Sequence, residues 1–146
     1  LAKNSIEFEV VPGITSAIAG PAYAGIPLTH RDYDPAVIIV TGREARKNGR
    51  LDWEVLAKLN ATIVILMGVT VFEKIVKKLL KSGKDPETPV AIIEKATTER
   101  QRVITGRLSN IIEIAKKKKI EPPAIIVIGK VVSIRDKTIN FLKFED

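Results

Sequence analysis

Short runs of β-branched, apolar residues recur along this chain and constrain its fold more than any other feature. The runs occupy residues 6–11, 36–42, 62–68, 89–96 and 123–129. They have the length of strands, and most are continuously apolar, which predicts strands buried on both faces of a sheet. A more polar run, residues 100–108, follows the fourth run after only three residues and is predicted to return as its antiparallel hairpin partner.

Helical patterns separate these runs. Asp52 is a predicted N-cap for a short helix, and residues 70–83 carry one apolar stripe that ends at Gly83, with Thr70 and Glu73 spaced as a capping box. Two further helices are predicted, over residues 109–119, begun by Ser109 or Asn110, and over residues 15–23, built of small side chains. The segment 131–146 is interpreted as an edge strand and a charged tail. The fold class is therefore α/β, with a mixed, mostly parallel sheet of about five strands flanked by helices.

Length and composition favour one soluble domain over residues 1–146. The chain has 146 residues, 45% of them apolar, and no apolar run approaches the roughly 18–20 residues that a membrane span needs. It has no cysteine, which excludes disulfides, thiolate metal sites and cysteine nucleophiles. The chain begins with Leu1 and its single methionine is Met67, so we expect it to be part of a longer, cytoplasmic protein.

The net charge of +7 comes largely from two lysine-rich helical segments, residues 74–84 and 116–119. Lysines at this spacing are typical of solvated helix faces, and an anionic partner or nucleic acid is the alternative. No aromatic residues are interleaved with these lysines, as a stacking platform for single-stranded nucleic acid would require. We therefore expect neither a nucleic-acid nor a membrane partner.

The ends of the predicted strands are the natural place for a ligand, because open α/β sheets bind ligands beyond the carboxyl ends of their strands. These ends are rich in glycine and hydroxyl residues and, if the strands are parallel, form one crevice: residues 12–16, 41–43, 67–69, 96–98 and 129–130. Thr15 or Ser16 can cap the first helix, whose N–H groups would then accept an anion. An ordinary capped turn explains the same residues, and no GxGxxG or GxxxxGK[ST] motif is present.

Three single residues are candidates for chemistry. His30 lacks the companions that a metal site needs, so no metal site is predicted. Arg31 is suited to clasp a carboxylate, although an ion pair with Asp32 or Asp34 is an open alternative. Met67 is either a core residue or, at a strand end before glycine, a flexible pocket wall. No catalytic residue is identified, and "GITSA" is not the nucleophile elbow of a serine hydrolase.

Several ordered blocks carry a family resemblance over residues 6–135. They are "VVPGITSAIAGPAYAGIPLTHRDYD", "VIIVTGRE", "LDWEVLAKLNATIVILMGV", "TPVAIIEKATTERQRVITGRL" and "PPAIIVIGKVVSIRD". Together they resemble the C-terminal half of the uroporphyrinogen-III C-methyltransferases, a branch of the tetrapyrrole methylase family. The resemblance implies two α/β domains that hold S-adenosylmethionine between them, in a homodimer. The implied reaction is methylation of uroporphyrinogen III at C2 and C7, giving precorrin-2 on the route to sirohaem and cobalamin.

The resemblance also implies roles for individual residues. It implies that Thr15, Ser16, Met67, Ala96 and Thr97 contact the cofactor, with Ala96 standing where the family often has glycine. Arg31 and Met67 resemble residues that bind the substrate.

The family's N-terminal half, with its glycine-rich loop and "GGDP" segment, has no counterpart here. The chain thus resembles an isolated C-terminal domain, whose partners would be its own N-terminal domain and a second subunit. We expect it to bind cofactor weakly and to catalyse nothing alone. Two alternatives are kept: a methylase of a later corrinoid precursor, and a non-catalytic binding or dimerisation module with a basic surface.

Overall fold

A computed structural model describes residues 1–45 and 49–142 of the chain. Its strands are β1 (Val37–Thr41), β2 (Thr62–Leu66), β3 (Pro89–Glu94), β4 (Arg102–Arg107) and β5 (Ala124–Ile128). Its α-helices are α1 (Ser16–Tyr23), α2 (Trp53–Lys58), α3 (Phe72–Lys81), α4 (Ile111–Lys118) and α5 (Arg135–Thr138). The α/β class and the five-stranded sheet flanked by helices are confirmed.

The sheet order is β1-β2-β5-β3-β4, and only the β1–β2 pair is parallel. The prediction of a mostly parallel sheet is therefore wrong. β1, β2 and β3 do run in one direction, as helical crossovers between them require. However, β5 lies between β2 and β3 and runs in the opposite direction. β2 and β3 therefore do not pair with each other, and each forms an antiparallel pair with β5. The predicted β3–β4 hairpin is confirmed.

Two segments differ from the predicted strands. Residues 6–11 are exposed, have no regular secondary structure and pair with no strand in the described part of the chain. β-type composition alone does not make a strand, because strand formation depends on packing against neighbouring strands. The predicted edge strand after β5 is instead helical, with the 3₁₀ turn Lys130–Ile134 followed by α5 and a second turn, Ile139–Phe141. The end of the predicted charged tail, 143–146, lies outside the described residues.

Side chains of the central strands alternate between two hydrophobic cores. Ile63 and Ile65 of β2 pack under α2, α3 and α4, whereas Val64 faces α1 and the turn Lys130–Ile134. β3 and β5 alternate in the same way. Each of these fully buried aliphatic side chains stabilises the fold by roughly 1.5–3 kcal/mol relative to exposure. The sheet is thus fixed on both faces, and its ends are free to form a site.

The predicted helix starts have mixed outcomes. Asp52 caps α2 by accepting hydrogen bonds from the N–H groups of Glu54 and Val55, at 2.9 and 3.1 Å, as predicted. The Thr70–Glu73 capping box is wrong, because α3 begins after the 3₁₀ turn Val69–Val71 and its N-cap residue makes no side-chain bond. Asn110 precedes α4 as predicted, but its side chain accepts from the Arg107 N–H instead of the helix.

Candidate binding cleft

A cleft of about 930 Å³ lies at one end of the strands of the sheet. The carboxyl ends of β1, β2 and β3 meet there with the amino ends of β4 and β5, because β4 and β5 run the other way. The reversal of β5 also places Gly129 and Lys130 at the other end of the strands, away from the cleft. Their predicted place in the crevice is therefore wrong. The cleft is lined by Ser16, Arg43, Leu66, Met67, Val69, Thr70, Ile93, Lys95, Ala96, Thr98, Arg100, Pro122, Pro123, Ala124 and Ile125.

The backbone at the strand ends is unusual. Met67, Lys95 and Thr97 have φ values of 53°, 46° and 66°, in the left-handed region that side chains other than glycine disfavour. Beside them, a Cβ added to Gly42 would lie 2.5 Å from the Gly68 Cα, so the ends of β1 and β2 pack backbone against backbone. Strained residues of this kind concentrate where a precise shape is needed for a ligand.

Helix α1 brings a hydroxyl to the cleft. Thr15 caps the helix by accepting from the Ala17 N–H at 3.3 Å, as predicted, and Ser16 lines the cleft. Gly20 lets the helix lie close to the sheet: an added Cβ would be 2.3 Å from the Ile125 Cδ1 and 3.3 Å from the Ala96 Cβ. The small residues of α1 therefore set the width of the cleft.

The turn between β3 and β4 is braced against α1. The Thr97 N–H donates to the Gln101 Oε1 at 2.8 Å, and the Gln101 Nε2 donates to the Tyr23 carbonyl at 3.1 Å. The Thr98 hydroxyl donates to the Lys95 carbonyl at 2.7 Å. These bonds hold residues 95–101 in place as one wall.

A buried carboxylate holds the loop that precedes β5. Glu94 is only 3% exposed, forms an ion pair with Arg102, and accepts from the Glu121 N–H at 2.6 Å. Burial alone would raise the pKa of Glu94, but the Arg102 guanidinium and the Glu121 N–H hold that pKa below its usual value. Pro122 and Pro123 directly follow Glu121 and line the cleft. The bond from the Glu121 N–H to Glu94 therefore fixes the path of this loop.

The cleft combines apolar and positively charged surfaces. Leu66, Ile93 and Ile125 supply apolar area, while Arg43, Lys95 and Arg100 supply cations. Among the described residues that line it, none is an aspartate or glutamate. Such a lining suits an organic molecule that carries carboxylates. The predicted crevice included Arg43, within residues 41–43, but not Lys95 or Arg100, whose only signal was their position next to a predicted strand end.

The predicted cofactor residues come together. Ser16, Met67 and Ala96 line the cleft, Thr15 caps the helix that carries Ser16, and Thr97 follows Ala96 in the braced turn. Met67 is 62% exposed, so it is not a core residue. Three of the five predicted residues therefore line the cleft, and the other two are their neighbours in the chain.

Arg31 lies elsewhere. It belongs to a turn closed by a 3.0 Å bond from the His30 N–H to the Asp34 carbonyl. The buried Asp34 carboxylate accepts a hydrogen bond from the Thr62 hydroxyl at the start of β2. This turn therefore lies at the end of the strands opposite the cleft. Arg31 has no ion pair with any residue that the structure describes, which removes the alternative of a bond to Asp32 or Asp34.

Residues 1–45 and 49–142 contain no group of three or more histidine, aspartate or glutamate residues placed to hold a metal ion. No helix within these residues combines the length and the apolar character needed to cross a bilayer.

These features define an α/β domain that carries a small-molecule cleft at the ends of its strands. The sequence matches the tetrapyrrole (corrin/porphyrin) methylases over residues 1–112. It is 53% identical over 138 residues, 93% of this chain, to the S-adenosyl-L-methionine-dependent uroporphyrinogen III methyltransferase of Methanosarcina barkeri (strain Fusaro). The chain belongs to the tetrapyrrole methylase family.

A second curated protein and a solved structure are also similar to this chain. The siroheme synthase of Pseudoalteromonas translucida is 45% identical over 137 residues, 94% of this chain and 29% of that protein. The structure of uroporphyrin-III C-methyl transferase from Thermus thermophilus, complexed with S-adenyl homocysteine, has a TM-score of 0.75 and 35% identity, covering 91% of this chain. The chain spans 54% of the M. barkeri protein and 57% of the T. thermophilus chain, so it corresponds to about half of each.

Proposed function

We propose that this chain is the C-terminal half of an S-adenosylmethionine-dependent methyltransferase that converts uroporphyrinogen III to precorrin-2 by methylation at C2 and C7. The product would lead to sirohaem and cobalamin. The observation that carries the proposal is the cleft at the strand ends, where Ser16, Met67 and Ala96 meet three cations. Family membership and the names of the relatives support the same reaction.

The residues of the cleft fit a methyl donor of this kind. Ser16 offers a hydroxyl, Ala96 leaves room near the backbone, and Leu66, Ile93 and Ile125 offer apolar surface to an adenine ring. Bound S-adenosylmethionine supplies an electrophilic methyl group on a positively charged sulfur. We assign its binding to Thr15, Ser16, Met67, Ala96 and Thr97. Their task is orientation and exclusion of water, which supplies much of the rate advantage of a bimolecular transfer.

The cations of the cleft account for the substrate. Uroporphyrinogen III carries eight carboxylates, and Arg43, Lys95 and Arg100 stand at the cleft without a competing acid in its described lining. Positive charge of this kind increases the rate of encounter and fixes the orientation of an anionic ligand. Arg31 stays a proposed substrate residue, but it is separated from the cleft by the length of β2, roughly 13 Å. Arg31 would contact a carboxylate of the substrate only if another domain or subunit places this end of the strands next to the substrate.

The other half of the cleft is proposed to come from an N-terminal domain. Residues 6–14 form no helix or strand, and Phe8, Val10, Val11 and Ile14 are exposed by 61–83%. Large apolar side chains exposed together in one segment favour burial against another sheet or domain. We propose that this domain covers the segment and closes the cleft, in a cytoplasmic homodimer that uses no metal.

The test is methyl transfer by the complete protein that contains this chain. Labelled S-adenosylmethionine should methylate uroporphyrinogen III twice, and Met67→Ala should lower turnover and cofactor affinity. Lys95→Gln should raise the KM for the tetrapyrrole, and Arg31→Ala should do so only in the assembled dimer. Methylation of a later corrinoid precursor but not of uroporphyrinogen III would move the proposal to that substrate. No methylation of either would favour a non-catalytic module.

A further inference from the structure

A second cavity, of about 570 Å³, lies between α3 and α4. Its floor is apolar and includes Phe72, Ile112, Ala115 and Ile120. Its rim is formed by four lysines and one glutamate: Lys74, Lys77, Lys116, Lys119 and Glu73. We call this cavity the lysine groove. Nothing in the reaction proposed above uses it.

The positive charge of the lysine groove is only partly neutralised. Glu73 accepts from Lys77 at 2.6 Å and pairs with Lys116 at 3.0 Å, which ties α3 to α4. Hydrogen bonds from these two lysines lower the pKa of Glu73 to about 2, so its carboxylate stays ionised at neutral pH. Lys74 and Lys119 have no carboxylate within 4 Å among residues 1–45 and 49–142. The rim therefore keeps a clear excess of cations.

The lysine groove opens beside the binding cleft. Val69 and Thr70, which directly follow Met67 and Gly68 at the end of β2, line both cavities. A molecule in the groove would thus lie next to the strand end that carries Met67. This continuity links the groove to the ligand of the cleft more closely than to an unrelated partner.

We infer that the lysine groove is an auxiliary docking site for the polycarboxylated tetrapyrrole, used on its way into or out of the cleft. The inference rests on the proposed function. An apolar floor ringed by ammonium groups complements a hydrocarbon macrocycle ringed by carboxylates. A nucleic acid fits less well, because Phe72 is the one aromatic residue of the lining and is only 5% exposed, leaving no ring for base stacking.

The probe is uroporphyrin, the stable, fluorescent octacarboxylate, titrated into the 146-residue chain at low ionic strength. The Lys74→Gln/Lys119→Gln variant leaves the Glu73 ion pairs intact, and both lysines are exposed, so its melting temperature should match the parent's. We expect its Kd to rise at least about fivefold, because two cation–carboxylate contacts are lost. The matched control, Lys58→Gln/Lys137→Gln, removes the same charge outside the groove and should change the Kd less than about twofold.

Salt and a competitor sharpen the result. The difference between groove variant and control should vanish at ~0.5 M salt, where charges are screened over a few ångströms. Equal Kd values for the two double variants at low salt would overturn the inference. Displacement of uroporphyrin by poly-uridylate at nucleotide concentrations below the Kd of uroporphyrin would also overturn it, in favour of nucleic acid.

The complete enzyme separates this inference from the proposed function. There the groove variant should raise the KM for uroporphyrinogen III and leave kcat unchanged. Methyl transfer with an unaltered KM in the groove variant would overturn the docking site and keep the function. No methyl transfer by the parent, together with weakened uroporphyrin binding by the groove variant, would keep the docking site and overturn the function.

Discussion

At the residue scale, Met67 combines a strained backbone conformation with a proposed role in ligand binding. Its φ of 53° costs a residue with a side chain roughly 1–2 kcal/mol, and glycine avoids that cost while losing about 0.5–1 kcal/mol of chain entropy. The side chain is 62% exposed, so its removal empties no core. Met67→Gly should therefore be as stable as the parent or up to about 1 kcal/mol more stable, measured by urea unfolding.

The same substitution should weaken ligand binding. In the complete protein, loss of the thioether contact is expected to raise the Kd for S-adenosylhomocysteine about fivefold by calorimetry. Ser5→Gly is the control, since Ser5 also has a positive φ, of 50°, but lies outside the cleft lining. A less stable Met67→Gly protein would contradict the strain at this position, and an unchanged affinity would show that the Met67 side chain does not contact the ligand.

Glu94 gives a prediction about pH. Its pKa in the folded protein lies below the unfolded value of about 4.3, so its bonds stabilise the fold fully above that pH. The stabilisation is lost as the pH falls through the folded-state pKa. Glu94→Gln should cost about 1–3 kcal/mol at pH 7, since a buried charge-assisted bond to the Glu121 N–H is weakened.

Urea unfolding at several pH values checks this. The gap in stability between parent and Glu94→Gln should narrow steadily below about pH 4. Glu87→Gln is the matched control, because the Glu87–Arg107 ion pair is exposed by 60% and 57% and should add nothing measurable. A gap that stays constant down to pH 3 would mean that packing, not ionisation, explains the role of Glu94.

At the scale of elements, α1 depends on the absence of one side chain. Gly20→Ala gains about 1 kcal/mol of helix propensity but places a Cβ 2.3 Å from the Ile125 Cδ1, and overpacking typically costs about 1–3 kcal/mol. A net loss of about 1 kcal/mol is expected. Ile125→Val removes that Cδ1, so Gly20→Ala added to Ile125→Val should be neutral or stabilising. Equal effects of Gly20→Ala in both backgrounds, by double-mutant cycle, would contradict this contact.

Elements also show what the sequence predicted and why. β-branched runs located four of the strands, and the short spacing before β4 revealed the hairpin, because both signals are local. The direction of β5 was missed, because strand order depends on which position in the sheet is free and leaves no local pattern. That error put Gly129 in the crevice and left out the Pro122–Pro123 loop.

The site was predicted in the same uneven way. Ser16, Met67 and Ala96 followed from motifs and strand ends, and the cleft contains all three. Lys95 and Arg100 were not predicted, because it is the turn between β3 and β4 that brings them to the cleft. The capping box of Thr70 and Glu73 failed because α3 begins only after the 3₁₀ turn Val69–Val71, and Glu73 pairs instead with Lys77 and with Lys116, which is 43 positions further along the chain. Long-range contacts of this kind are invisible to a window of neighbouring residues.

At the scale of the whole molecule, the open cleft and the exposed segment 6–14 make one prediction together. The chain alone should bind S-adenosylhomocysteine weakly and transfer no methyl group, because the proposed N-terminal domain would supply one wall of the proposed site. Adding a separately produced N-terminal domain from the complete protein should restore binding in calorimetry. Amide hydrogens of residues 6–11 should then become protected from exchange, as a segment taken into another sheet requires.

The two readouts must change together. Micromolar binding of S-adenosylhomocysteine by the chain alone would show that this half already forms a sufficient site. Restored binding without protection of residues 6–11 would place the contact between the two domains elsewhere. The control is a variant with Val10→Asp and Val11→Asp, which adds charge to two side chains exposed by 77% and 81%. It should leave the stability of the chain alone unchanged but prevent the added domain from restoring binding, because two carboxylates would have to be buried in the new contact.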